Sequence, residues 1–261
     1  LGACRPCVDC WLANGGVESG GLVRDLLRQR VRIPPVPSDA LARQRLNGKI
    51  SEALTSRSVL FVEAPCGYGK SHAVVSALGG AEMATDQVRW VALNSQDNAP
   101  SRFLTLLAIA LDLPETPEQG LHSGATFSDT LSMMQVALAR EGSGQPRVLV
   151  LDNLQNLSNP AVVDLLQQLV MEFPSGSSIV LISRKALPFE THSLELENRF
   201  TRIGSETLEF SRSETFEFFR SATTKSELTS VAVDNLYYVN GGWGDTVGPL
   251  RQGGDAKSEG E

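Results

Sequence analysis

Val59-Leu60-Phe61-Val62-Glu63-Ala64-Pro65-Cys66-Gly67-Tyr68-Gly69-Lys70-Ser71 opens with four apolar residues and closes on a glycine-rich loop that meets a lysine. An uninterrupted apolar run of this length, ended by Pro and Gly, suits a strand buried on both faces of a parallel sheet. A helix is expected from Lys70 to about Leu78, ended by Gly79-Gly80. Between them, Ala64 to Ser71 fits the phosphate-loop pattern G-x-x-x-x-G-K-[ST], with Ala64 in place of the first glycine. Gly67 and Gly69 let backbone amides turn toward phosphate oxygens without a Cβ in the way, and the helix start adds positive potential there. In this pattern Lys70 reaches the β- and γ-phosphates and Ser71 ligates Mg²⁺. The whole stretch, Ala64, Pro65, Cys66, Gly67, Tyr68, Gly69, Lys70 and Ser71, is the expected cradle for ATP or ADP. A methyl at Ala64 is tolerated at negative φ.

Working outward, Val88 to Leu93 is a second strand candidate, and Phe103 to Leu111 an apolar helix stopped before Pro114. Leu131, Met134 and Leu138 share one helical face beginning near Ser128. Val148 to Leu151 is a third buried strand. Asn159-Pro160 supplies an N-cap and a first-turn proline for a helix carrying Val162, Leu165, Leu166, Leu169 and Phe173. Ile179 to Ile182 is a fourth strand, and Leu208-Glu209-Phe210 is read as a fifth. Strand and helix alternate, which predicts an α/β fold of the P-loop NTPase kind: a parallel sheet flanked by helices. Ser211 and Glu214 form a capping box that opens a short helical segment with Phe216, Phe218 and Phe219.

Asp152 closes the third strand, which puts its carboxylate at the carboxyl edge of the sheet, where open α/β folds bind ligands. It is the candidate second Mg²⁺ residue, acting largely through water. Asn153 stands where many ATPases carry a second carboxylate to activate water. An amide orients water but is no base, so fast hydrolysis is not expected. Arg184 ends the fourth strand and either reads the γ-phosphate or sits in a surface salt bridge; the sequence leaves both open. Lys70, Asp152, Asn153 and Arg184 are thus the catalytic candidates, and Ser71 and Asp152 the metal candidates.

The 261 residues carry a net charge of −7, which argues against a surface that wraps nucleic acid throughout. Arg24, Arg28, Arg30, Arg32, Arg43, Arg45 and Lys49 crowd residues 24 to 49, interrupted by Pro34-Pro35-Val36-Pro37. Without interleaved aromatics this run reads as a solvated basic face. No apolar run of about 18 residues and no secretory leader is evident, so no membrane role and a cytoplasmic setting are expected. Cys4, Cys7 and Cys10 offer C-x-x-C spacings without the fourth ligand that structural zinc wants, and read as part of a leader. The expected layout is a poorly ordered leader at 1–33, a nucleotide-binding domain at 34–210, the start of a helical lid at 211–250 and a polar tail at 251–261.

The ordered set Arg43-Gln44-Arg45-Leu46, Ala64 to Ser71, Trp90 to Asn98 with Arg102-Phe103, Leu149 to Asn153, Ile182-Ser183-Arg184 and Ile203 to Phe219 resembles the MalT-like, LuxR-type transcriptional regulators. These belong to the STAND signal-transduction ATPases, and the resemblance covers about residues 34 to 245. It implies an ATP/ADP switch, in which ADP holds a closed resting state and an inducer on a distant helical-repeat domain favours ATP. It also implies that the ATP form self-associates on DNA, and that adenine contacts fall near Arg45 and Leu46. Gly241-Gly242-Trp243 resembles the family's glycine-tryptophan motif, with Gly244 where a proline usually follows. The family's sensor repeats and C-terminal helix-turn-helix have no counterpart here, so no DNA-binding domain is expected in this chain. Two other readings remain beside the switch domain: a stand-alone AAA-like ATPase, and a non-catalytic interaction fragment.

Overall fold

The computed structural model describes residues 27–36, 40–80, 87–112, 131–132, 135 and 147–222. Their regular elements are α1 (Gln44–Ser56), β1 (Val59–Glu63), α2 (Lys70–Gly80), β2 (Val88–Ala92), α3 (Pro100–Ala110), β3 (Arg147–Asp152), α4 (Pro160–Met171), β4 (Ser177–Ser183), α5 (His192–Leu196), β5 (Phe200–Ile203), α6 (Ser205–Leu208) and α7 (Arg212–Ala222). Two short 3₁₀ turns, Ser95–Asn98 and Leu154–Asn156, follow β2 and β3.

The five strands form one sheet in the order β2-β3-β4-β1-β5, and every pairing is parallel. Parallel strands need helical crossovers, which cover both faces, and the side chains divide accordingly. Phe61, Val91, Leu149, Leu151, Ile179 and Leu181 point to one face, where they meet α3 and α4 through Phe103, Leu104, Leu107 and Leu166. Leu60, Val62, Trp90, Val148, Val150, Val180 and Ile182 point to the other, against Leu46 and Ile50 of α1 and Val74 and Ala77 of α2. A strand with both faces covered needs apolar residues at consecutive positions, which is why β1, β3 and β4 read as continuous runs. Each fully buried aliphatic side chain contributes about 1.5–3 kcal/mol.

Two sequence expectations are corrected. The fifth strand is not Leu208-Glu209-Phe210 but Phe200–Ile203, which pairs Val59↔Phe200 through Val62↔Ile203 along the free side of β1. Leu208 ends the helical turn α6, and its side chain is buried in the α1–α2 layer. The basic run is also not uniformly a solvated face. Arg30 donates from Nη1 to Asp97 Oδ1 (3.0 Å) and from Nη2 to the Ala92 carbonyl, and Asp97 has no exposed surface.

Arg43 is likewise buried. Its guanidinium donates to the carbonyl oxygens of Leu208 (2.8 Å) and Glu209 (2.7 Å), pairs with Glu214 and lies 4.3 Å over the Phe210 ring. The Ser211–Glu214 capping box forms as expected: Glu214 N–H donates to Ser211 Oγ (3.2 Å) and Ser211 N–H to Glu214 Oε2 (2.7 Å). Arg32 and Lys49 are exposed, as the solvated reading expects. The cysteines at 4, 7 and 10, the Met134 and Leu138 positions, the glycine-tryptophan motif and the tail lie outside the described residues.

Candidate functional site

β4 lies between β1 and β3, so the loop leaving β1 and the carboxyl end of β3 flank the end of β4. This arrangement brings Lys70, Ser71, Asp152, Asn153 and Arg184 to one cleft of about 300 Å³, together with Cys66, Gly67, Gly69, His72 and Gln155. The loop takes its shape from Gly67 at φ 87° and Gly69 at φ 67°, conformations that residues with a Cβ rarely adopt. Ala64 is buried, and its N–H meets the Ser183 carbonyl at 3.3 Å, tying the loop's start to the end of β4. Ala73 N–H bonds to the Gly69 carbonyl at 2.8 Å, closing the first turn of α2 behind the loop.

Lys70 is buried at the start of α2, and its Nζ donates to the Pro65 carbonyl at 2.6 Å, so the cation is held across the loop. Ser71 Oγ donates to Asp152 Oδ2 at 2.7 Å, and Asn153 N–H donates to Asp152 Oδ1 at 2.8 Å. Both carboxylate oxygens are therefore engaged. Burial pushes the Asp152 carboxyl up from its ordinary range; the Ser71 and Asn153 hydrogen bonds, then Lys70 and Arg184, pull the other way without cancelling it. Asn153 adopts the left-handed conformation at φ 64°, ψ 41°, one that asparagine tolerates better than most residues. His72 is held below the ordinary histidine range by burial and then by the nearby Arg43 charge, which favours its neutral form.

Other predicted residues stand apart from the cleft. Tyr68 packs half-buried against the α1–α2 layer. Arg45 does not line the cleft: its guanidinium donates to the carbonyls of Thr207 (3.2 Å) and Glu209 (2.9 Å) and to Glu214 (3.2 Å). Arg184 is exposed at the rim, and its backbone N–H, not its side chain, makes the local bond. His72 and Gln155 line the cleft although no sequence motif marks them. Their only signal is adjacency, one residue beyond Ser71 and two beyond Asn153.

The family model described as the AAA domain matches residues 53–187, just over half of the chain. The chain belongs to the AAA domain family. Membership implies nucleotide binding, and it accounts for the cleft between the P-loop and the ends of β3 and β4. This AAA domain is similar to the HTH-type transcriptional regulator MalT of Yersinia enterocolitica, 26% identical over 204 residues, covering 74% of this chain and 22% of that protein. MalT of Serratia proteamaculans is 25% identical over 201 residues, again 74% of this chain and 22% of the relative. The chain thus spans about a fifth of the length of these curated relatives. A Walker-type ATPase of Pyrococcus abyssi superposes with a TM-score of 0.50 at 13% identity, covering 85% of this chain and 71% of that one. That likeness bears on the fold: a five-stranded parallel sheet flanked by helices. No helix among the described residues is long and apolar enough to cross a membrane.

The AAA domain's cleft contains oxygen groups that could hold a divalent cation beside a nucleotide's phosphates. Among the described residues no group of three or more His, Cys, Asp or Glu is placed to hold a metal. Mg²⁺ does not require one, since it keeps several waters and takes one or two protein oxygens beside the phosphates. The Ser71 hydroxyl and Asp152 carboxylate, 2.7 Å apart, are such a hard-oxygen pair.

Proposed function

We propose that this AAA domain is the ATP/ADP switch of a MalT-like regulator, binding Mg-nucleotide at Lys70, Ser71 and Asp152 and hydrolysing ATP slowly. The Ser71–Asp152 hydrogen bond carries the reading. It joins the P-loop helix to the end of β3 beneath the glycine loop, the place where a triphosphate's metal is held in P-loop proteins. Lys70 supplies the phosphate-facing cation. It exchanges the Pro65 carbonyl for a charged partner when phosphate enters, and charge-assisted bonds of that kind are roughly twice as strong as neutral ones.

Bound Mg²⁺ supplies charge neutralisation at the β- and γ-phosphates. The protein contributes the rest: loop amides that face the phosphates, a lysine at their edge, and an amide at Asn153 that orients water without deprotonating it. Slow turnover suits a signalling switch, whose states must persist long enough to be read. Self-association of the ATP form, and sensor and DNA-binding domains elsewhere in a longer protein, follow from the similarity to MalT as part of the same proposal. The cytoplasmic setting belongs to it as well.

The test is thermal unfolding with and without Mg-ATP and Mg-ADP. A ligand at about 100 times its dissociation constant stabilises a fold by about 2.7 kcal/mol. The expected outcome is a clear rise in Tm with either nucleotide, lost in Lys70→Ala. No rise with either nucleotide sinks the switch and favours a non-catalytic interaction fragment.

A further inference from the structure

A single side chain joins the carboxyl ends of β3 and β4. Gln155 sits in the 3₁₀ turn Leu154–Asn156, lines the cleft and uses both ends of its amide. Its Nε2 donates to Asn153 Oδ1 at 3.2 Å, and its Oε1 accepts the Arg184 backbone N–H at 3.1 Å. Asn153 gives its own N–H to Asp152, and Asp152 accepts Ser71 Oγ. The result is one hydrogen-bonded line from the P-loop helix, through β3, to the end of β4.

A side-chain amide accepts from a backbone N–H at one end while donating to a carbonyl oxygen at the other. Its length matters too, because the amide must span the gap between the two strand ends. The residues it joins are of a different kind from those of the P-loop. Lys70 and Ser71 come from α2, whereas Asn153 and Arg184 come from the two strand ends and carry the polar groups that supplement the loop. We propose that Gln155 is a positioning residue that fixes Asn153 and Arg184 relative to each other, and thereby sets the preference of the site for a nucleoside triphosphate over the diphosphate. This deepens the nucleotide reading of the cleft and rests on it. Gln155 acts through its two partners: with the bridge cut, Asn153 and the Arg184 backbone lose their common anchor, while Lys70, Ser71 and Asp152 keep theirs.

The experiment is calorimetric titration of the 261-residue chain with Mg-ADP and with a Mg-bound non-hydrolysable ATP analogue. Wild type is compared with Gln155→Leu, which removes the amide, and Gln155→Asn, which keeps an amide one methylene too short to reach both partners. For each variant the analogue's Kd is expected to rise about tenfold, equivalent to about 1.4 kcal/mol, while the Mg-ADP Kd stays within about twofold. A purely structural role would weaken both nucleotides alike, so equal losses, or an unmoved ratio in both variants, overturn the proposal. Should Gln155→Leu not fold, Gln155→Asn decides by the same ratio. Wild type that binds neither nucleotide overturns the nucleotide reading and this proposal with it; wild type that binds both, with variants of unaltered ratio, overturns this proposal alone.

Discussion

Burial disfavours the charged form of Asp152, yet its two oxygens are the acceptors that tie Ser71 and Asn153 together. A carboxyl pushed up by burial costs the ionised fold stability at neutral pH, a cost that eases as pH falls through the raised value. Asp152→Asn removes that cost while keeping the contacts, since its Oδ1 can take the Asn153 N–H and its Nδ2 can donate to the Ser71 hydroxyl. The expected result is a nucleotide-free fold more stable by about 1 kcal/mol, with the Mg²⁺-dependent part of nucleotide binding lost. Thermal unfolding with nucleotide in Mg²⁺ or in chelator reads both effects; a lower nucleotide-free Tm would show that the buried charge is not the strain. At this scale the sequence was informative where chemistry is tied to spacing. Lys70, Ser71 and Asp152 could be placed together because β1 with its loop brings the first two, at the start of α2, and β3 brings the third to the same sheet edge. Gln155 could not, because its role is defined by Asn153 and by an N–H from residue 184, and neither distance is written in its neighbours. Arg45 shows the converse: a charged residue beside a motif, engaged by carbonyls more than 160 positions away.

Among the elements, the turn after β2 and the loop before α4 are braced by Asn98. Its Oδ1 accepts the N–H groups of Ser158 (2.7 Å) and Asn159 (2.9 Å), and its Nδ2 donates to the Asn156 carbonyl (2.8 Å). Asn159 answers by donating to the Asn98 carbonyl (2.7 Å) and caps α4 through Ala161 N–H (3.0 Å). Asn98→Ala strips partners from three backbone groups at once, those of Asn159 and Asn156 partly buried, and about 2–3 kcal/mol of stability should be lost. Denaturant unfolding measures it, and a loss below about 0.5 kcal/mol would mean water replaces the brace at no cost. The α4 cap and its first-turn proline were legible because both signals are local. The central strands were legible because two covered faces demand consecutive apolar residues. β5 was not: among the described residues it pairs only with β1, and of its four residues only Ile203 is buried, so its sequence carries no apolar run. Leu208, buried but at the end of a helical turn, supplied the apolar signal that β5 lacked.

Over the whole molecule, the family match at residues 53–187 ends before β5 and omits most of α1, yet β5 completes the sheet and α1 packs on α2. The two ends of this larger unit meet where Arg43 and Arg45, at the entry to α1, converge on Glu214 at the start of α7. Burial pushes the Glu214 carboxyl up, but the Ser211 N–H and the two guanidinium groups outweigh it and hold it below its ordinary value. A lowered carboxyl contributes stability that is full above the unfolded value, about 4.3, and is lost as pH falls through the folded one. Glu214→Gln should therefore flatten the acid side of the stability–pH curve, read by urea unfolding between about pH 3 and pH 6. A curve identical to wild type would place the acid sensitivity elsewhere. Nothing in the local sequence around Arg43 announces this contact, since its partners lie 165 to 171 residues onward.

The strand order has a further consequence for the moment of synthesis. Among the described strands β1 comes earliest in the chain, but its neighbours are β4 and β5, with Val59 opposite Ile179 and Phe200. At about 5–20 residues per second, the strand that carries the nucleotide loop waits on the order of 10 s without a partner. β2, β3 and β4, adjacent in both sequence and space, can assemble meanwhile. β1 can then join the open side of β4, ahead of β5, so the nucleotide cradle comes into being only after Ser177–Ser183 has emerged.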